Sequence, residues 1–138
     1  MTILTRVCVL LLIVPSLFCA DNASAGHAKK TVDLLRGLDS GIRIGMTVAG
    51  GKEQLAAAYN EYRQISEKEV DPLVYASLGL SITSYQLVLD SDARLDREIK
   101  FGPARPLSEQ MKEYKDRLKQ DLDNAETGCE TAAKHLGV

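Results

Sequence analysis

The chain has 138 residues, which suits one domain, and 45% of them are hydrophobic. Its 17 basic and 19 acidic residues give a formal net charge of −2 at pH 7, so the charge balance offers no reason to expect a nucleic acid or an anionic membrane as a partner. With two histidines and three cysteines, few side chains are available for nucleophilic catalysis or metal binding.

The first residues have the pattern of a secretory signal peptide. Arg6 is the single charge of a short leading region, and residues 7–18 are almost wholly apolar. Residues 23–25, Ala-Ser-Ala, fit a small-x-small cleavage site. We therefore predict cleavage after Ala25, export to the periplasm or the extracellular medium, and one soluble domain over residues 26–138.

A lipoprotein anchored through Cys19 is the alternative to a cleaved signal peptide. Phe18 and Ser16 before that cysteine depart from the usual lipoprotein pattern, so we do not favour it. Cleavage would remove Cys8 and Cys19 and leave Cys129 without a disulfide partner. Stability is therefore expected to come from packing.

Residues 71–95 form the most apolar stretch after the signal peptide, and the other helices are expected to pack around it. Asp71 is placed to cap a helix, and Pro72 suits its first position. At helical spacing the apolar residues fall into two stripes: Val74, Leu78, Ile82, Tyr85 and Leu89, and Leu73, Ala76, Leu80 and Leu87. Two stripes predict packing on two sides, with Leu78 and Leu80 both buried.

Three further amphipathic helices are predicted, over residues 28–46, over residues 52–68, and from Ser108 nearly to the end of the chain. Gly50-Gly51 is expected to end the first of them, and the Pro/Gly-rich residues 101–106 should separate the last two. Four helices with short connections predict an all-α antiparallel four-helix bundle in up-down-up-down order, although helical hairpins in another order remain open.

Two spacings allow more than one interpretation. Gly37, Gly41 and Gly45 recur every four residues and indicate either a close helix–helix approach or a weakened helix. Tyr59 and Tyr62 lie three apart on an apolar stripe, where a place in the core is favoured over the lining of a pocket.

The sequence contains no motif of a serine hydrolase, zinc protease, phosphate loop or paired-cysteine site, so we do not expect an enzyme. An antiparallel bundle would bring His27, at the start of the first helix, and His135, at the end of the last, to one end of the molecule. These are the candidate ligands for haem or a metal ion, although two solvated histidines are the simpler interpretation and the C-x-x-C-H haem-attachment motif is absent. Cys129 lies on the apolar stripe of the last helix and is expected to be buried and unreactive.

The sequence thus favours a small exported helical protein that acts through contacts with an unidentified protein partner, as an adaptor, a chaperone or an assembly subunit. A homo-oligomer is compatible with this function, and no cofactor is required for it. The alternative is a helical bundle that binds haem, a metal ion or an apolar small molecule. A membrane span in the mature chain is not expected.

Overall fold

The computed structural model describes residues 22–138, and this part of the chain contains five α-helices and no strand. They are α1 (Ala23–Arg43), α2 (Val48–Tyr62), α3 (Pro72–Leu89), α4 (Ser91–Phe101) and α5 (Leu107–Leu136). The predicted all-α class is confirmed. The predicted signal peptide lies outside the described residues apart from its last four.

The first connection differs from the prediction. Helix α1 ends at Arg43, and Gly45 has a φ of 92°, a left-handed conformation that favours glycine. Thr47 then caps α2 by accepting a hydrogen bond from the backbone N–H of Gly50 at 3.2 Å. The Gly50-Gly51 pair therefore lies inside the first turn of α2, and Gly45 marks the end of the preceding helix.

The predicted central helix is two helices. Asp71 caps α3 as predicted, since its side chain accepts a hydrogen bond from the N–H of Leu73 at 2.8 Å, and Pro72 is the first helical residue. Helix α3 ends at Leu89, and Asp90 alone separates it from α4. This break turns the four predicted helices into five.

Side-chain contacts join the start of each of the first two helices to the end of the helix that follows it. His27 at the start of α1 meets Glu61 at the end of α2, where Nδ1 and Oε2 lie 2.6 Å apart. Gly51 at the start of α2 packs against Leu89 at the end of α3. Each hairpin thereby covers part of the apolar surface of the helix before it.

Helix α5 covers the remaining side of α1 and α3. Its last turns lie beside the start of α3, where His135 Nδ1 is 3.6 Å from a carboxylate oxygen of Asp71. Its N-terminal half instead pairs with α4, through two hydrogen bonds of 2.7 and 2.8 Å from Arg117 to Glu98. No residue of α4 is buried, so α4 adds little to the core.

Small residues allow α3 and α5 to approach closely. A Cβ atom at Gly128 would lie 2.7 Å from the carbonyl oxygen of Ser77 and 3.1 Å from the backbone nitrogen of Ser81. The hydroxyl of Ser81 donates to the carbonyl of Ala125 at 2.7 Å, which satisfies a fully buried polar group. The core on either side of this contact includes Val32, Leu35, Leu38, Val74, Leu78, Tyr85 and Cys129.

Candidate functional site

Helix α3 buries one of its two apolar stripes and exposes the other. Leu78 is fully buried, whereas Leu80, about 200° away around the helix, is 52% exposed. The prediction that both are buried is therefore wrong for Leu80. The helices packed against α3 are mainly α5, α2 and α1, which cover its other sides, and α4 packs along α5.

The exposed stripe forms a continuous surface, which we name the leucine face. Its members are spaced by three and four residues along α3: Leu73, Ala76, Leu80, Thr83 and Leu87. Leu73 is 45% and Leu87 38% exposed. The hydroxyl of Thr83 donates to the carbonyl of Gly79 at 2.9 Å, so its hydrogen-bonding capacity is used within the helix. No charged residue occurs between Asp71 and Asp90.

A groove of about 390 Å³ between α2 and α3 adjoins the leucine face. Leu55, Ala56 and Ile82 supply apolar lining, and the half-exposed ring of Tyr59 forms part of its wall. Thr83 belongs to both the groove and the leucine face. The two features therefore make one largely apolar surface across α2 and α3, although a lysine and a glutamine are also among the residues that line the groove.

Two close contacts between α2 and α3 flank the groove. At one end, a Cβ atom at Gly51 would lie 2.5 Å from Leu89 Cδ2. Toward the other end, a Cβ at Gly79 would lie 2.9 Å from the Tyr62 hydroxyl. Between these contacts the short side chain of Ala56 leaves space.

Three tyrosines stack beside the groove, and one of them, Tyr59, lines it. The Tyr62 ring stacks on Tyr75 with centroids 4.8 Å apart, and its hydroxyl donates to the Tyr75 carbonyl at 3.4 Å. Tyr59 stacks on Tyr62 at 6.5 Å and lies under the Arg63 guanidinium at 5.8 Å. Tyr62 packs against the core as expected, but a core position is wrong for Tyr59, which is 47% exposed.

The structure pairs each of the two candidate histidine ligands with its own carboxylate. His27 contacts Glu61 on α2, and His135 lies beside Asp71 at the start of α3. Within residues 22–138, no group of three or more His, Cys, Asp or Glu side chains could hold a metal ion. A haem or metal site at His27 and His135 stays a prediction.

We expect His27 to set the acidity of Glu61. The hydrogen bond with His27 holds the pKa of the Glu61 carboxyl below its ordinary value. A lowered pKa in the folded state means that the contact stabilises the fold above the ordinary pKa of a glutamate, and that this contribution is lost as the pH falls through the folded-state pKa. His27→Ala should raise the pKa of Glu61, measured by NMR titration, and the same titration of Glu98 should not change.

Cys129 is confirmed as a buried residue, 2% exposed. Its sulfur lies 3.8 Å from the Val32 carbonyl oxygen, and burial raises the pKa of its thiol to about 11. Since the thiolate is the reactive form, we expect a thiol reagent such as 5,5′-dithiobis(2-nitrobenzoate) to modify Cys129 at neutral pH only after unfolding in urea. Peptide mass analysis would identify the site. Rapid modification of the folded protein would contradict the buried position.

A second, polar cavity of about 270 Å³ lies between α1 and α5 over the buried ring of Tyr85. The Tyr85 hydroxyl donates to Asp39 at 3.1 Å, and Arg43 donates to the other oxygen of that carboxylate at 2.6 Å. Arg36 forms a bidentate pair with Glu130 at 2.9 Å. Because these charged groups pair with one another, the hydrogen bonds and ion pairs around the cavity join α1 to α3 and α5.

Two observations bear on the chain as a whole. Comparison of the chain with protein-family models, with curated proteins and with solved structures found no match. Among the described residues, α3 is the helix whose length and composition would allow it to cross a membrane. Half of it is buried within the domain, which is typical also of the core helix of a soluble protein.

Proposed function

We propose that the protein acts through protein–protein contacts, made by the leucine face and the adjoining groove, as an adaptor, a chaperone or an assembly subunit. The observation that carries this proposal is the exposure of Leu80, at 52%, in the middle of a helix without charged residues. Contiguous exposed apolar surface on a small domain is a mark of an interaction site. No enzymatic activity belongs to this proposal.

In this proposal, α1, α2, α3 and α5 form an antiparallel core in up-down-up-down order. Its support is the meeting of helix starts with helix ends, at His27 with Glu61, at Gly51 with Leu89, and in the approach of α5 to Asp71. Such a core would present α2 and α3 as a rigid platform, and the groove between them would be largely preformed.

The experiment that tests the proposal is site-specific photo-cross-linking in the producing cell. A photoreactive amino acid in place of Leu80 should give a defined protein adduct. The same amino acid in place of Lys119, an exposed residue of α5, is the matched control. Absence of an adduct at Leu80, or an equal pattern at both positions, would argue against the leucine face as the interaction surface.

We also propose export, with cleavage after Ala25. This cleavage would remove Asn22, which caps α1, and Ser24, whose hydroxyl donates to Glu69 at 2.6 Å. The processed chain would then begin inside the first turns of α1. The intact mass of protein from the envelope or the medium should correspond to a start at Gly26. A chain that begins at an acylated Cys19 would contradict this and indicate a lipoprotein.

The groove supports a second candidate function, the binding of an apolar small molecule. Its volume of about 390 Å³ falls within the roughly 300–1,000 Å³ of ordinary ligand sites. A fatty-acid or anilinonaphthalene probe should bind, and Ala56→Leu, which fills the groove, should abolish binding.

Haem binding by the two histidines has its own test. If the protein binds haem, the purified protein should show a Soret band, and His135→Ala should remove that band. Without that band, haem binding is rejected.

A further inference from the structure

We propose that the occupant of the leucine face is a second copy of this chain, bound antiparallel around a two-fold axis near Leu80. This inference rests on the proposed function and names the partner. The alternatives are a different protein and a lipid surface, and the experiments below separate them from a second copy.

The first argument is the symmetry of the pattern. A two-fold interface brings the same patch of both copies together, so the patch must complement itself. Leu73 and Leu87 each lie seven residues from Leu80, so the leucines read the same in both directions along α3. Ala76 and Thr83 occupy the positions between them.

The alternation of large and small residues suits the packing of two helices. In antiparallel pairs of helices, the side chains of one seam fit into spaces on the other. Around an axis at Leu80, the two Leu80 side chains would meet and Leu73 would lie opposite Leu87, while Ala76 and Thr83 leave room beside these pairs. Because Thr83 already bonds to the Gly79 carbonyl, its methyl group can face the partner without leaving an unsatisfied hydroxyl.

The second argument is charge. Two copies of α3 meet no like charges along their length, since charged residues occur only beyond its ends. In a parallel pair the exposed Asp71 of one copy would face Asp71 of the other. An antiparallel pair would instead place Asp71 toward the far end of α3, where the charge of Asp90 is already neutralised by Lys52 at 2.9 Å. It would also set opposite ends of the two helix dipoles side by side.

The area of the face sets the expected strength. Helix α3 has 18 residues and is about 27 Å long, so a strip about 10 Å wide offers roughly 300 Å² per copy. Tyr59 and the rim of the groove add to this strip. Stable interfaces bury about 800 Å² per partner, so we expect a reversible, concentration-dependent dimer.

Sedimentation equilibrium of the purified protein tests the dimer across the micromolar range. We expect the average mass to rise from that of one chain toward that of two. Leu80→Glu should weaken the dimer by at least about tenfold, because it places two carboxylates at the axis. Its circular dichroism spectrum should be unchanged, since Leu80 is not in the core. Lys119→Glu is the matched control and should dimerise like the parent.

Cysteine cross-linking tests the orientation. Leu80→Cys should form a disulfide-linked dimer under mild oxidation, faster than Lys119→Cys. Leu73→Cys alone should link poorly, whereas a mixture of Leu73→Cys and Leu87→Cys should give the linked pair. Efficient self-linking of Leu73→Cys would indicate a parallel pair and overturn the proposal.

The proposal would also be overturned if the protein stays monomeric at every concentration and Leu80→Cys forms disulfide-linked dimers no faster than Lys119→Cys. If Leu80 still cross-linked to a different protein in the cell, the proposed function would stand and the second copy alone would be rejected. Binding of the parent to neutral lipid vesicles, lost in Leu80→Glu while the protein remains monomeric, would assign the face to a lipid surface instead.

Discussion

Truncation of Leu78 to alanine is expected to lower the free energy of unfolding by about 2–5 kcal/mol, a large part of the roughly 5–15 kcal/mol of a typical domain. Leu78 is fully buried on the side of α3 that faces the core, so its loss removes apolar contacts and leaves a cavity. The neighbouring helices can close that cavity only in part. Urea unfolding followed by circular dichroism measures the change.

The matched control is Leu80→Ala. It makes the same chemical change in the same helix, but at a side chain that is 52% exposed, so we expect a change within about 0.5 kcal/mol. The comparison should be made at low concentration, where a dimer through the leucine face would be dissociated. A loss at Leu80 as large as that at Leu78 would mean that a segment of the monomer covers the leucine face.

The start of α3 could be predicted because its signals are local. Asp71 and Pro72 provide the cap and the first turn within two residues of sequence. The end of α3 could not, since no glycine or proline marks Asp90. In the sequence, Asp90 and Arg94 stand four residues apart, a spacing at which opposite charges pair within one continuous helix. In the structure Asp90 pairs with Lys52 on α2, and Arg94 lies 3.7 Å from Asp121 on α5.

The candidate site could be predicted only in part. Periodicity identified both apolar stripes of α3, and the stripe of Val74, Leu78 and Tyr85 is buried as predicted. Which stripe is covered depends on where α1, α2 and α5 pack, while α4 lies against α5 through contacts such as Arg117 with Glu98. The alternation of leucines with small residues on the second stripe was the available signal of an open face.

The glycines show the same difference between local and tertiary information. Gly45 and Gly137 have positive φ angles beyond the ends of α1 and α5, a role that follows from local backbone geometry. The repeat of Gly37, Gly41 and Gly45 indicated a close approach or a weakened helix. A Cβ atom at Gly37 would meet nothing within 4 Å, and one at Gly41 would meet the side chain of Met46 in the following connection, not another helix. The tightest approach to the backbone of another helix lies instead at Gly128, and it depends on the position of the partner helix α3.

Gly128→Ala is therefore expected to destabilise the protein by about 1–3 kcal/mol, the usual cost of overpacking a core. A Cβ atom there would lie 2.7 Å from the carbonyl oxygen of Ser77. This is a backbone atom, so rotation of a side chain cannot relieve the contact. Helices α3 and α5 would have to separate, which would also stretch the 2.7 Å hydrogen bond from Ser81 to the Ala125 carbonyl. Urea unfolding measures the loss, and amide hydrogen exchange should show it concentrated in α3 and α5.

Gly37→Ala is the control, because it makes the same substitution in a helix interior where the added methyl group has open space. There the lower backbone entropy of alanine in the unfolded chain should dominate, and the protein should gain about 0.4–1 kcal/mol. The two substitutions are thus expected to change stability in opposite directions, although both raise helix propensity. Stabilisation by Gly128→Ala would show that α3 and α5 do not pack at the close distance that joins them here.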